Sequence, residues 1–157
     1  MKRLFIITSC AILIFIANLN LFAQDKINKT IIKDEAAKTK LLGEHKLSLQ
    51  WIAWDKAFGK IVVTDDNGLL RIKGEQKSNK DGDFVSVDGV IKSVDVKDFI
   101  FQGTVITRVS YINKGEPCKR EGEMKFRITG ARKFWRMQNI DNPCDEAADY
   151  VDVHFRK

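Results

Sequence analysis

From Lys46 onward the apolar residues of this chain return at every second position, and that period constrains the fold more than any other feature. In "KLSLQWIAW", Leu47, Leu49, Trp51 and Ala53 share one face against Ser48 and Gln50. This is the alternation of a half-buried strand, in which successive side chains point to opposite faces. In "KIVVTDDNGLLRIKGEQ" the pair Asn67-Gly68 separates two such runs, and both residues accept the positive φ that a two-residue hairpin turn needs. That turn predicts a register: Asp66 opposite Leu69, Val63 opposite Ile72, Val62 opposite Lys73, and Lys60 opposite Glu75. "FVSVDGVIKSVDV" adds one or two short strands. "DFIFQGTVITRVSYI" adds a long one with Phe99, Phe101, Val105, Val109 and Tyr111 in phase, and "DYVDVHF" a last one with Val151, Val153 and Phe155 turned inward.

Near the C-terminal end, "EGEMKFRITGARKFWRMQN" predicts another hairpin. A turn over Gly130 and Ala131 sets Phe126 opposite Trp135 and Met124 opposite Met137, which makes Trp135 a core residue. The other face then carries Arg127 against Phe134, Lys125 against Arg136, and Thr129 against Arg132. Like charges directly opposite each other destabilise a sheet unless an anion lies between or beside them, and Arg over an aromatic face is a cation–π contact. Lys125, Arg127, Arg132, Phe134 and Arg136 therefore form the candidate patch for an anion or a partner, since guanidinium forks suit carboxylates and phosphates. The competing reading is a basic face neutralised within the protein, with Asp152 as the partner.

Before the strands, "TIIKDEAAKTKLLG" predicts one short helix over Thr30–Gly43, with Thr30 as its cap and Ile31, Ile32, Ala36 and Leu42 as a sparse apolar side. About seven to nine short antiparallel strands after one helix predict an all-β domain, a meander closed into a barrel or folded as a two-layer sandwich. The barrel is preferred because closure leaves no exposed edges. Its expected core contains Leu47, Leu49, Trp51, Val63, Ile72, Phe99, Phe101, Phe126, Trp135, Val151, Val153 and Phe155.

Compartment follows from the first residues. Lys2 and Arg3, the apolar run "LFIITSCAILIFIA" and the small Ala23 have the order of a signal peptide cut near Ala23. The division expected is a leader over 1–23, a polar lead-in with the helix over 24–43 and a single barrel domain over 44–157. The mature chain would be secreted or periplasmic, with no transmembrane segment after cleavage. Losing Lys2 and Arg3 lowers the net charge from +6 to +4, too mild for a nucleic-acid binder. Of the three cysteines, Cys10 falls in the leader. Cys118 and Cys144 remain, and an even pair in an exported domain reads as a disulfide.

Catalytic and metal signatures are absent from the sequence. His45 and His154 have no metal-ligand spacing. "NKDGD" places Lys77 where a calcium loop needs its first carboxylate, and there is no GxSxG or phosphate loop. The expectation is a non-catalytic protein with no cofactor and no metal, binding a small apolar or carboxylated ligand inside the barrel. The alternative is a rigid envelope or extracellular module with a filled core that meets a protein or envelope partner.

The strand series, with "GEPCKREGEMKF" and "RKFWRMQN", resembles the small exported bacterial domains of uncharacterised function. In outline the stretch Leu42–Phe155 is similar to the calycin or lipocalin-like barrels, although Gly43 and Trp51 stand far apart where lipocalins carry Gly-x-Trp. That resemblance implies a meander barrel and assigns no site residues.

Overall fold

The structure, a computed structural model, describes residues 27–52 and 58–156. The expected leader over 1–23 lies outside the described residues, and so does Ala53. The elements are β1 (Ile31–Ile32), α1 (Glu35–Leu41), β2 (Gly43–Leu49), β3 (Gly59–Asp66), β4 (Leu69–Lys77), β5 (Phe84–Val94), β6 (Asp98–Arg108), β7 (Cys118–Arg127), β8 (Phe134–Met137) and β9 (Val151–His154). Strands β2 to β9 follow one another as an antiparallel meander, and β9 returns to pair with β2. The result is a closed eight-stranded barrel, with β1 added in parallel beside the end of β5.

The Asn67-Gly68 turn sets the β3–β4 register at Asp66↔Leu69, Val63↔Ile72, Val62↔Lys73 and Lys60↔Glu75, as its two-residue loop dictates. Asn67 and Gly68 both have positive φ. The β7–β8 hairpin differs from the expected register by two positions: Phe126 faces Met137 and Arg127 faces Arg136. Thr129 to Lys133 form a wider loop than a turn over Gly130 and Ala131 alone, which displaces the partner strand. A shift of two preserves side-chain parity, so Phe126, Trp135 and Met137 still point inward.

The helix starts later than expected. Asp34 caps it, its carboxylate accepting from the Ala37 amide at 2.6 Å. Thr30 instead bridges two strands, its hydroxyl donating to Ile91 O at 2.6 Å and accepting from Leu70 N at 2.8 Å. Ile31 and Ile32, expected on the helix, belong to β1. Ala37 and Leu41 are the helix residues that close this end of the barrel, and Ala36 is exposed. Two further expectations change at strand ends. Tyr111 lies beyond β6 and is exposed, and Trp51 lies beyond β2, half-buried at the barrel mouth.

Inside, the barrel is full. Leu47, Leu49, Ile61, Phe101, Phe126, Met137 and Val153, drawn from β2, β3, β6, β7, β8 and β9, are each 0% exposed. A side chain bordering a void that admits water would keep some exposure to it, so these residues are sealed by their neighbours. The aromatics account for much of the filling. Phe99 stacks on Phe126 at 4.9 Å and meets Trp135 edge-on at 6.0 Å, geometries that aromatic pairs favour. Phe101 lies over the facing pair Gly89 and Gly103, where an added Cβ on either would sit 2.6 Å from its ring. Glycine is required there because the ring occupies the place of a side chain.

Candidate functional site

The sequence-derived patch does not assemble as a free cationic face. Arg136 forks onto Asp152, Nε to Oδ1 and Nη2 to Oδ2 both at 2.7 Å, a bidentate geometry that holds both charges. The hydrogen bond to Asp152 pushes the Arg136 guanidinium pKa up. Lys125 pairs with Asp98 at 3.0 Å and does not oppose Arg136. The like-charge pair is Arg127 with Arg136. Phe134 is approached by Arg132 at 5.7 Å and Arg136 at 5.1 Å, where Arg127 was expected. The neutralised reading therefore describes Lys125 and Arg136. Among the described residues, Arg127 and Arg132 make no ion pair.

A different set of side chains surrounds a cleft of about 690 Å³ at the α1 end of the barrel, where β2 and β9 run side by side. Its lining includes Lys46, Phe58, Lys133, His154, Phe155 and Arg156. The β2–β9 register places Lys46 beside His154 and Ser48 beside Asp152. His154 Nε2 hydrogen-bonds the Ser48 hydroxyl at 2.8 Å, and Phe58 and Phe134 pack against its ring at 5.1 and 5.3 Å. Burial pushes the His154 pKa down, and the positive charges of Lys46 and Arg136 add to this against the attraction of Asp152. The ring is thus favoured as neutral.

Residues of β2, α1 and the segment after β9 complete the surroundings of the cleft. His45, buried, ties α1 to β9, with Nε2 2.7 Å from Leu41 O and Nδ1 3.0 Å from His154 O. Lys40, on α1, reaches over the Phe155 ring at 3.4 Å. Its pKa is lowered first by burial and then by the charge of Lys133. Arg156 donates to the backbone of Thr39 at 3.0 Å. Glu44, the one acid lining this cleft among the described residues, is taken by Lys60 at 2.5 Å. Among the described residues, Lys40, Lys46, Lys133 and Arg156 have no carboxylate partner.

The opposite end carries a buried polar centre. Asp149, 0% exposed, accepts from Trp51 Nε1 at 3.0 Å on one oxygen. The other oxygen accepts from Thr107 Oγ1 at 2.9 Å, Arg120 Nη2 at 2.8 Å and Asn142 Nδ2 at 3.1 Å. Nearby, Cys118 and Cys144 form a disulfide with a Cα–Cα separation of 5.9 Å. Beside it Lys119 meets Glu121, and Arg120 meets Asp149. This centre fixes the wall of the barrel and exposes no reactive group. No cluster of three or more metal-ligating side chains exists among the described residues. No helix among them is long and apolar enough to cross a membrane.

A model of the PM1083 family matches residues 29–155 of the chain. The uncharacterized protein PM1083 of Pasteurella multocida (strain Pm70) is 48% identical over 118 residues, which cover 75% of this chain and 75% of that protein. No solved structure matches.

Proposed function

The chain belongs to the PM1083 family, and we propose that it is an extracytoplasmic, non-catalytic barrel that acts through its outer surface and holds no ligand inside. The observation that carries this reading is the filled interior. Leu47, Phe101, Phe126 and Met137 are 0% exposed, and an eight-stranded barrel is only just wide enough for its own side chains or one small ligand. The burial of these side chains argues against the apolar ligand expected inside. What the interior withholds, the outside offers: an aromatic-lined cleft with cations that have no carboxylate partner among the described residues.

The Cys118–Cys144 bond supports the compartment, because disulfides persist where the surroundings are oxidising. Lys2, Arg3 and the apolar run that follows add the sequence pattern of an exported chain.

A titration of the disulfide-bonded protein with the neutral apolar fluorophore N-phenyl-1-naphthylamine tests the reading. A filled barrel gives no saturable rise in emission. Stoichiometric, saturable binding quenched by no outer-surface substitution would place the ligand inside and refute it.

A further inference from the structure

We propose that the cleft between β2, β9 and Phe58 binds a small amphiphilic anion, a free carboxylate carried on an apolar body; the inference rests on the outward-acting reading above.

The first support is charge. Many surface Lys and Arg side chains of this barrel meet acids, among them Lys73 with Asp88 at 2.8 Å, Lys92 with Glu123 at 2.7 Å and Lys125 with Asp98 at 3.0 Å, and a few others, Arg127 and Arg132 included, make no ion pair among the described residues. The cleft is distinct in gathering several such cations around one concavity. Lys46, Lys133, Arg156 and the adjoining Lys40 come together from β2, the β7–β8 loop, the C-terminal segment and α1, with no carboxylate of the described residues to meet them. Lys40 and Lys133 are close enough to repel each other's protons. An arrangement of like charges around one concavity is relieved by an anion within it.

The second support is the floor. Phe58 is 44% exposed, one of few large apolar side chains left so open, and it borders the cleft with Phe155 and the His154 ring. A hydrated inorganic anion would leave this apolar surface in water. A neutral apolar molecule would leave the cations unmatched. The two features together fit a molecule with one negative head and one apolar body.

Size and shape supply the third. The cleft holds about 690 Å³, within the roughly 300–1,000 Å³ of small-molecule sites. A concavity of this size suits the whole of a small molecule, head and body together, and that is the occupant proposed.

Calorimetric titration of the disulfide-bonded protein with decanoate, 1-decanol and acetate separates head from body. Decanoate is expected to bind with one-to-one stoichiometry, and both 1-decanol and acetate at least tenfold more weakly. Lys46→Gln and Lys133→Gln should each weaken decanoate about tenfold, the loss of one charged hydrogen bond, with unchanged thermal midpoints since both side chains are exposed. Phe58→Ala should weaken decanoate while leaving acetate unaffected.

Four results would overturn the proposal: no decanoate binding, equal affinity for 1-decanol, equal affinity for acetate, or indifference of decanoate to both lysine substitutions. Tighter association with phosphatidylglycerol vesicles than with free decanoate would also overturn it, by making the site a membrane contact. Failure here, with the neutral fluorophore still excluded, leaves the filled-barrel reading intact. Saturable uptake of the fluorophore that no outer-surface substitution quenches would refute that reading independently.

Discussion

Replacing Asp149 by Asn should be among the most damaging isosteric changes in this protein, and its magnitude follows from four donors and one cation. The carboxylate is 0% exposed and the Arg120 side chain 6% exposed. Removing the negative charge leaves a guanidinium in the interior with two weaker oxygen contacts, Thr107 Oγ1 at 3.4 Å and Asp141 O at 3.2 Å. Arg120 Nε already lacks a partner, so that cation has no reserve. Breaking a buried pair from one side costs about 3–5 kcal/mol. An amide adds a further mismatch. With its oxygen toward Thr107, Arg120 and Asn142, its NH₂ faces the Trp51 indole N–H, forfeiting a bond of about 1 kcal/mol. The expected loss is about 4–6 kcal/mol, which approaches the whole stability of a small domain.

Urea unfolding of the oxidised protein, followed by tryptophan fluorescence, measures it. The decisive comparison adds Arg120→Met. On the native background this substitution should destabilise, whereas on Asp149→Asn it should restore about 1–2 kcal/mol by removing the stranded charge. A loss below about 1 kcal/mol for Asp149→Asn, or strict additivity of the two changes, would refute the account.

Four further outcomes are expected. Trp135→Ala should cost about 3–5 kcal/mol as a large core truncation. Arg136→Gln should cost about 1.5–3 kcal/mol for the lost fork on Asp152; equal stability of Arg136→Gln and the native protein in urea melts would deny the fork any weight. Reducing Cys118–Cys144, which spans 26 residues, should lower stability by about 3–4 kcal/mol, and thiol counting on the unfolded, unreduced protein should find neither sulfur free. His154 gives a pH dependence: its folded pKa lies below the unfolded value of about 6.5, so the unfolded state binds more protons in that interval. Its contribution is complete above about pH 6.5 and is lost as pH falls through the folded value. His154→Gln should flatten that slope in melts between about pH 5 and 7, and an unchanged slope would assign it to other groups.

Local rules carried far in this chain wherever one turn or one period governs. Asn67-Gly68 determined all of the β3–β4 register because its loop has two residues and no freedom. The β7–β8 hairpin kept its faces and lost its register, because Thr129 to Lys133 do not form a tight turn and nothing in "TGARK" states the loop length. Thr30 has the chemistry of a helix cap, yet its hydroxyl serves Ile91 and Leu70, both distant in sequence. The buried Asp149 sits in "NPCDEAADY" among exposed acids, and what selects it is the arrival of Trp51, Thr107 and Arg120 from three other segments. The cleft is illegible for the same reason. Lys40, Lys46, Lys133 and Arg156 have no shared spacing, and only closure of β9 on β2 gathers them.

That closure also sets a timetable. The seam joins the first barrel strand to the last, with His45 and the His154 carbonyl 109 residues apart in sequence. Contacts so distant pay their loop entropy before they return any stabilisation, so such topologies fold slowly. During synthesis β2 must wait as an open edge until Val151–His154 have left the ribosome, by which time every other strand has emerged. A barrel whose locking step depends on β9 stays pliable until that strand has paired with β2.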